Sequence, residues 1–278
     1  MIRESRRGVS LQVHSLASGS SGNAMLIQAD GINLLIDAGV SVRALTTALL
    51  KRNVTSTDLH GILVTHEHTD HSSGLSGTAR RHDAPVIANT ATLNALYQRD
   101  ATAYRTQVLE TGGTMAIGGV GIRSFPVSHD AVETVGYVLE IGTYKVVYCT
   151  DSGCVTSVIR EALYGADLAI IEANYDPDWL KRGPYPEYRK ARVASNTGHL
   201  SNEDCADVMA ERLELGGSLS IWLAHLSRVN NSPALARRSV QQRIAQQTTV
   251  PYTIEVALRD QPSLSWSPGR QAFQLSML

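Results

Sequence analysis

Thr65-His66-Glu67-His68-Thr69-Asp70-His71 follows the apolar run Gly61-Ile62-Leu63-Val64, so a buried strand ends by delivering three imidazoles and the Asp70 carboxylate within six positions. The chain has nine histidines in 278 residues, and a plain polar loop would not gather three of them. Imidazole nitrogen and carboxylate oxygen are ligands that zinc or manganese accepts. Alternate positions on an extended segment point the same way, so His66 and His68 are expected to share one ion. Asp70 and His71, where the chain turns, are expected to face a second.

Working outward, the flanking sequence alternates strand, turn and helix. Period-2 or continuous apolar runs predict strands over 11–16, 24–28, 32–36, from 62, 85–88, 120–127, 135–141, 144–149, 168–172, 219–224 and 252–257. Helical spacing predicts helices over 42–51, to about 81, 91–98, 156–164, 202–213 and 233–246. Residues 173–201 read as a long loop, and the last twenty residues show no periodicity. Two β-rich halves with flanking helices predict an α/β (α+β) fold, a four-layer αββα sandwich of two mixed sheets. One domain over 1–278 is expected, with 1–10 and about 259–278 as extensions.

Further candidate ligands fall at strand ends. The stretch 122–128 runs into His129, 144–150 into Asp151 and 219–224 into His225. Ligands of α/β sheets collect where strands run into loops, so these positions and the heptapeptide are expected to form one site. The expected first triad is His66, His68 and His129, and the second is Asp70, His71 and His225. Asp151 is expected to bridge, because a carboxylate can give one oxygen to each of two ions about 3.5–4 Å apart. A shared hydroxide would be the nucleophile.

His66-x-His68-x-Asp70-His71, followed in order by His129, Asp151 and His225, resembles the metallo-β-lactamase superfamily. Ser18-Gly19-Ser20-Ser21-Gly22-Asn23, Asp37-Ala38-Gly39, Val127-Ser128-His129-Asp130, Thr150-Asp151-Ser152-Gly153 and Leu223-Ala224-His225-Leu226-Ser227 resemble the YycJ/WalJ group within it. The resemblance runs from about residue 11 to 246. It implies a metallo-β-lactamase sandwich, two divalent ions (Zn²⁺ or Mn²⁺) and 5′-to-3′ exonuclease activity on DNA. It also implies that Asp37 supports the metal-site histidines without binding metal. His68 departs from the flavodiiron branch, which has Glu there. The stretch 152–224 is too short to hold the insert of the β-CASP nucleases.

Substrate signals lie ahead of the helix at 202. Ser201 and Asp204 resemble a capping box, and His199 just precedes that helix N-terminus. It resembles the extra histidine of phosphodiesterase members, which would hold a phosphate oxygen or protonate the leaving alkoxide. Asp70 and His199 are thus the candidate catalytic residues. Lys181, Arg182, Arg189, Lys190 and Arg192 interleave with Trp179, Tyr185 and Tyr188, cations for phosphates and rings for bases. Ser20 and Asn23 sit in a small-residue loop able to cradle a phosphate.

Balanced charge, with 25 basic and 26 acidic residues, excludes a global field for polyanions, so any basic patch must be local. Three cysteines without CxxC spacing fit a reducing compartment. No signal-like start and no run of about 20 apolar residues leave a cytoplasmic protein without a membrane partner as the expectation. The expected partner is nucleic acid, DNA ahead of RNA, with monomer and homodimer both open. The alternatives are hydrolysis of a small ester, thioester, lactam or cyclic phosphodiester, and a metal-stabilised binding protein without chemistry.

Overall fold

The computed structural model describes residues 9–99, 104–269 and the backbone of 273–274; the Arg-rich start therefore lies outside the described residues. In chain order the first half contains β1 (Leu11–Ala17), β2 (Ala24–Ala29), β3 (Ile32–Ile36), α1 (Val42–Leu50), β4 (Gly61–Leu63), α2 (Thr69–Ser72), α3 (Leu75–His82), β5 (Val86–Ala88), α4 (Thr90–Arg99), β6 (Thr106–Val108), β7 (Thr114–Ile117) and β8 (Val120–Pro126). The second contains β9 (Val135–Ile141), β10 (Tyr144–Cys149), α5 (Ser157–Leu163), β11 (Leu168–Glu172), α6 (Pro177–Arg182), α7 (Glu187–Val193), α8 (Asn202–Glu214), β12 (Leu219–Ala224), α9 (Pro233–Gln247), β13 (Tyr252–Val256), β14 (Leu264–Trp266) and β15 (Phe273–Gln274).

The strands form two mixed sheets, ordered β15-β14-β1-β2-β3-β4-β5-β6 and β13-β12-β11-β10-β9-β8-β7. Alternation assigns their faces. In β11, Leu168 and Ile170 enter the layer between the sheets with Val13, Leu34, Tyr137 and Trp222, whereas Ala169 and Ile171 face α5, α8 and α9. Leu26, Leu35 and Ile62 turn instead to α1, α3 and α4. Because both faces of each sheet are covered, the central parallel strands read as unbroken apolar runs. The four-layer αββα sandwich expected from sequence is therefore present.

Caps fix where helices begin. Ser41, Thr156, Asp176, Ser201 and Ser232 each accept a backbone N–H from the first turn of α1, α5, α6, α8 and α9. The predicted long loop over 173–201 needs correction, since it contains α6 and α7. Their start signals are Pro177 at N1 and Pro186 at the cap, and both helices are too short for a 3.6-residue period to show. The unassigned tail contributes β14, which pairs with β1 (Val13↔Trp266). No helix among the described residues is long and apolar enough to cross a membrane.

Candidate metal centre

The ends of β3, β4, β8, β10, β11 and β12 meet at one edge between the sheets, and the loops leaving them carry the predicted residues. Asp37, Asp151 and His225 follow their strands in the left-handed region, at φ 60°, 58° and 53°. That conformation costs a non-glycine residue roughly 1–3 kcal/mol and persists only where its surroundings hold it. It turns the chain sharply at the sheet edge, leaving each side chain inside the cluster.

Two triads come together as expected. His66, His68 and His129 have ligand atoms within 4.8 Å of one another, with ring centroids 4.6–5.1 Å apart. Asp70, His71 and His225 form the second set under the same limit. Asp151 stands between them, with Oδ2 3.1 Å from His71 Nε2 and Oδ1 3.6 Å from His129 Nε2. Oδ2 thus faces the second triad, while Oδ1 lies between the two, 3.4 Å from His225 Nδ1 as well.

Hydrogen bonds fix how several rings face the cluster. His71 Nδ1 lies 2.8 Å from Asp37 Oδ2, His129 Nδ1 3.0 Å from the Gly198 carbonyl and His225 Nδ1 2.8 Å from Glu172 Oε1. An N–H at Nδ1 donates in each case, which leaves the Nε2 lone pair for a metal. Asp37, fully buried, also accepts the Thr65 N–H at 2.9 Å, fixing the heptapeptide at its first residue. Gly39 lets the second triad close up: a Cβ there would lie 1.6 Å from the Asp70 carbonyl oxygen.

The residues fit divalent ions. Two buried atoms in the cluster, His66 Nε2 and Asp151 Oδ2, make no hydrogen bond, a costly state unless a cation meets them. Electrostatics agrees. Burial alone would lower the pKa of His225, yet Asp151, Asp70 and Glu172 raise it to about 10. Burial would likewise lower His71, and Asp37 and Asp151 reverse that too. His66, by contrast, is held neutral by burial, with the neighbouring His71 adding to the effect. The negative potential that retains these protons is what would draw in a metal.

Sequence reasoning missed Glu172. It ends an otherwise apolar strand, shares the face of Leu168 and Ile170, and is fully buried. Its Oε1 meets both His199 Nδ1 and His225 Nδ1 at 2.8 Å, and its Oε2 accepts the N–H groups of Ser152 and Leu200. A carboxylate closing a run of buried apolar residues was the available signal. Asn174, also missed, donates to the His225 carbonyl at 2.8 Å.

The substrate candidates divide. His199 stands at the open edge of the cluster, its ring 5.2 Å from His129 and its side chain 18% exposed. Burial would lower its pKa, but Glu172 raises it, so it tends to keep its proton. Ser20 is exposed. Asn23 needs correction as a substrate contact, since it is fully buried. Its Oδ1 accepts the Gly19 N–H, and its Nδ2 lies 3.0 Å from His71 Nε2, so it braces the loop against the second triad. Lys181, Arg182 and Arg189 lie exposed on α6 and α7, Arg189 over the Tyr185 ring at 4.9 Å. Arg192 on α7 pairs with Asp130, next to His129, and so ties this basic hairpin to the first triad.

Comparison with known proteins agrees with this geometry. Residues 32–219 match the β-lactamase superfamily domain. The chain is 40% identical over 230 residues to exodeoxyribonuclease YycJ of Bacillus anthracis, covering 82% of this chain and 86% of that protein. It is 37% identical over 235 residues to exodeoxyribonuclease WalJ of Streptococcus pneumoniae serotype 2, covering 83% and 87%. In fold it resembles zinc-bound PqqB of Methylobacterium extorquens, with a TM-score of 0.67, 18% identity and coverage of 92% of this chain and 99% of that one. On the sequence match and the shared fold, the chain belongs to the β-lactamase superfamily, in its YycJ/WalJ-like group, and is a metal-dependent hydrolase.

Proposed function

We propose that the chain is a two-metal phosphodiesterase that degrades nucleic acid, as a 5′-to-3′ exonuclease on DNA. One ion would be held by His66, His68 and His129 and the other by Asp70, His71 and His225, with Asp151 touching both. Zn²⁺ and Mn²⁺ both suit this donor set. When bound, such ions lower the pKa of water toward neutrality and offset charge growing on phosphate oxygens.

The residues of the chain do the rest. Asp37 and Glu172 hold the ligand imidazoles with Nε2 forward. His199, with Nδ1 on Glu172, has Nε2 free to hand a proton to the departing alkoxide. The basic hairpin of α6 and α7 would take the strand beside the first triad.

The observation that carries this reading is the junction at Glu172, where one buried oxygen orients a candidate ligand and a proton-bearing His199 together. An alkoxide leaving from a phosphodiester requires such a proton. The 37–40% identity to proteins named exodeoxyribonucleases supports DNA as the polymer.

The test is turnover with Mn²⁺ or Zn²⁺ on DNA and RNA, single- and double-stranded and 5′-phosphorylated, beside bis(p-nitrophenyl) phosphate and a β-lactam. Mononucleotides released from the 5′ end of DNA are expected. Turnover of the small diester without nucleic acid defeats the nuclease, and lactam turnover alone defeats the phosphodiesterase.

A further inference from the structure

The chain after β13 lies beyond the matched stretch 32–219, yet it is laced into the rim of the metal centre. Ser18 N–H donates to the Leu258 carbonyl at 2.9 Å, and Ser263 N–H to the Ser15 carbonyl at 3.1 Å. Ser18 Oγ accepts the His225 N–H at 2.9 Å. The strap 257–263, the loop 18–23 and the start of the loop at His225 are therefore hydrogen-bonded to one another.

Arg259 lies in the middle of this strap. A Cβ on Gly19 would fall 2.5 Å from its Cγ and 3.0 Å from its Cδ, so the arginine stem rests on the bare backbone of Gly19. Gly19 is the residue whose N–H is taken by Asn23, itself 3.0 Å from His71 Nε2. Arg259 Nη1 donates to the Ser227 carbonyl at 3.0 Å, two residues past His225. The arginine is thus half-buried and held at stem and tip, and among the described residues only its Nη1 has a hydrogen-bond partner.

Its charge stands uncompensated. Asp260, the adjacent carboxylate, is taken by Arg228 Nη2 at 2.9 and 3.0 Å and by the Ser21 hydroxyl at 2.9 Å. Among the described residues no carboxylate pairs with Arg259. A positioned guanidinium without a carboxylate, beside a centre that would bind a phosphodiester, suits a second phosphate. On the far side of the centre, Arg192 is already engaged by Asp130 beside His129. One arginine is thus tied beside His129 of the first triad, and the other is held on the loop that follows His225 of the second.

We propose that Arg259 holds a phosphate of the substrate strand next to the one being cut, on the His225 side. The strand would then run from the α6–α7 hairpin across both triads to the strap. This rests on the phosphodiesterase reading above.

The test uses metal-loaded enzyme and Arg259→Met, which keeps the stem against Gly19, beside Arg259→Lys. In Arg259→Met, kcat/KM on single-stranded DNA relative to bis(p-nitrophenyl) phosphate, which has no neighbouring phosphate, should fall about tenfold to a hundredfold. The slope of log affinity for DNA against log salt should flatten by about 0.7, one phosphate contact, and Arg259→Lys should restore it. In wild-type protein, DNA should slow phenylglyoxal modification of Arg259 while the small diester should not. Parallel losses on both substrates, an unchanged slope or equal modification rates overturn the inference, and the modification arm requires no variant to fold. Wild type that cuts the small diester but no nucleic acid overturns the proposed function and this inference together. DNA cleavage with unaltered Arg259→Met behaviour overturns this inference alone.

Discussion

Glu172→Gln is the sharpest perturbation the centre offers, because the change is nearly isosteric and the native geometry leaves no compatible amide orientation. Both histidine nitrogens approach Oε1 and both backbone N–H groups approach Oε2, at 2.8, 2.8, 2.8 and 3.2 Å. A glutamine can present its carbonyl to one pair only, so its NH₂ must face two donors whichever way it is flipped. Two charge-assisted bonds at about 1.5–3 kcal/mol each are lost. With partial relaxation, about 3 kcal/mol of stability should go, near the lower end for breaking a buried charged pair. Loss of the His225 orienter should weaken metal binding about 10- to 100-fold. At saturating metal, kcat should still fall about 100-fold or more, because His199 loses the partner that holds its proton. The sign on pH follows from that partner. Glu172 raises the His199 pKa, and a general acid fails as pH rises through its pKa, so the alkaline limb of kcat should shift to lower pH in the variant. Urea melts, metal titration and a kcat–pH profile on single-stranded DNA, whose leaving group is an alkoxide that needs the proton, read these three effects. An unchanged kcat with an unmoved alkaline limb at full metal loading would refute the role assigned to Glu172.

Metal uptake at pH 7 should release protons. His225, at about 10, and His71, also raised, carry protons without metal, and both must surrender Nε2 to ligate. Calorimetry in two buffers of different ionisation enthalpy should count about two protons, with affinity falling as pH drops; a buffer-independent enthalpy contradicts this ligand assignment. Away from the centre, His14 is buried, bonded through Nδ1 to Ser265 Oγ, and its pKa is lowered by burial and then by Arg52 from 6.5 to about 4. The folded state resists protonation there, so stability present above pH 6.5 should be lost between 6.5 and 4, by about 3 kcal/mol at 1.36 kcal/mol per unit. Urea midpoints at pH 7 and 4.5 should show that loss for wild type in excess of His14→Leu, and parallel losses would show that His14 does not titrate as argued.

The parts of the fold legible in the sequence are those where periodicity and burial coincide. The bounds of β3, β9, β10, β11 and β12 follow from apolar runs that fill both sides of a covered sheet. What escaped reading depends on partners distant in the chain. β14 is a strand because β1 lies beside it, and β6 is three exposed residues at a sheet edge with no apolar face. The heptapeptide marked its own triad members, and strand ends supplied His129, Asp151 and His225. Glu172 carried the same strand-end mark, but a lone carboxylate closing an apolar strand also reads as a plain stop. Arg259 had no mark, since an arginine in an aperiodic tail reads as surface. Only the approach of two imidazoles to the first, and of Gly19 to the second, gives either a role.

The left-handed residues carry that reasoning one step further. Asp37, Asp151 and His225 each close a strand in a conformation that an asparagine or glycine would adopt more cheaply. Packing does not require them, because the strand ends they follow are already buried. Each nonetheless bears a group facing the cluster or an atom that orients one. The centre also concentrates buried carboxylates whose charge is offset, in the protein alone, by protons on His71, His199 and His225. Backbone strain and unpartnered buried polar atoms of this kind lower the stability of the chain by itself. They become favourable when a ligand binding only the folded state supplies the missing cation, since its binding energy then adds to folding energy. Backbone strain, unbonded His66 Nε2 and Asp151 Oδ2, and raised histidine pKa values therefore share one physical cause: a site shaped for positive charge that these side chains do not themselves provide.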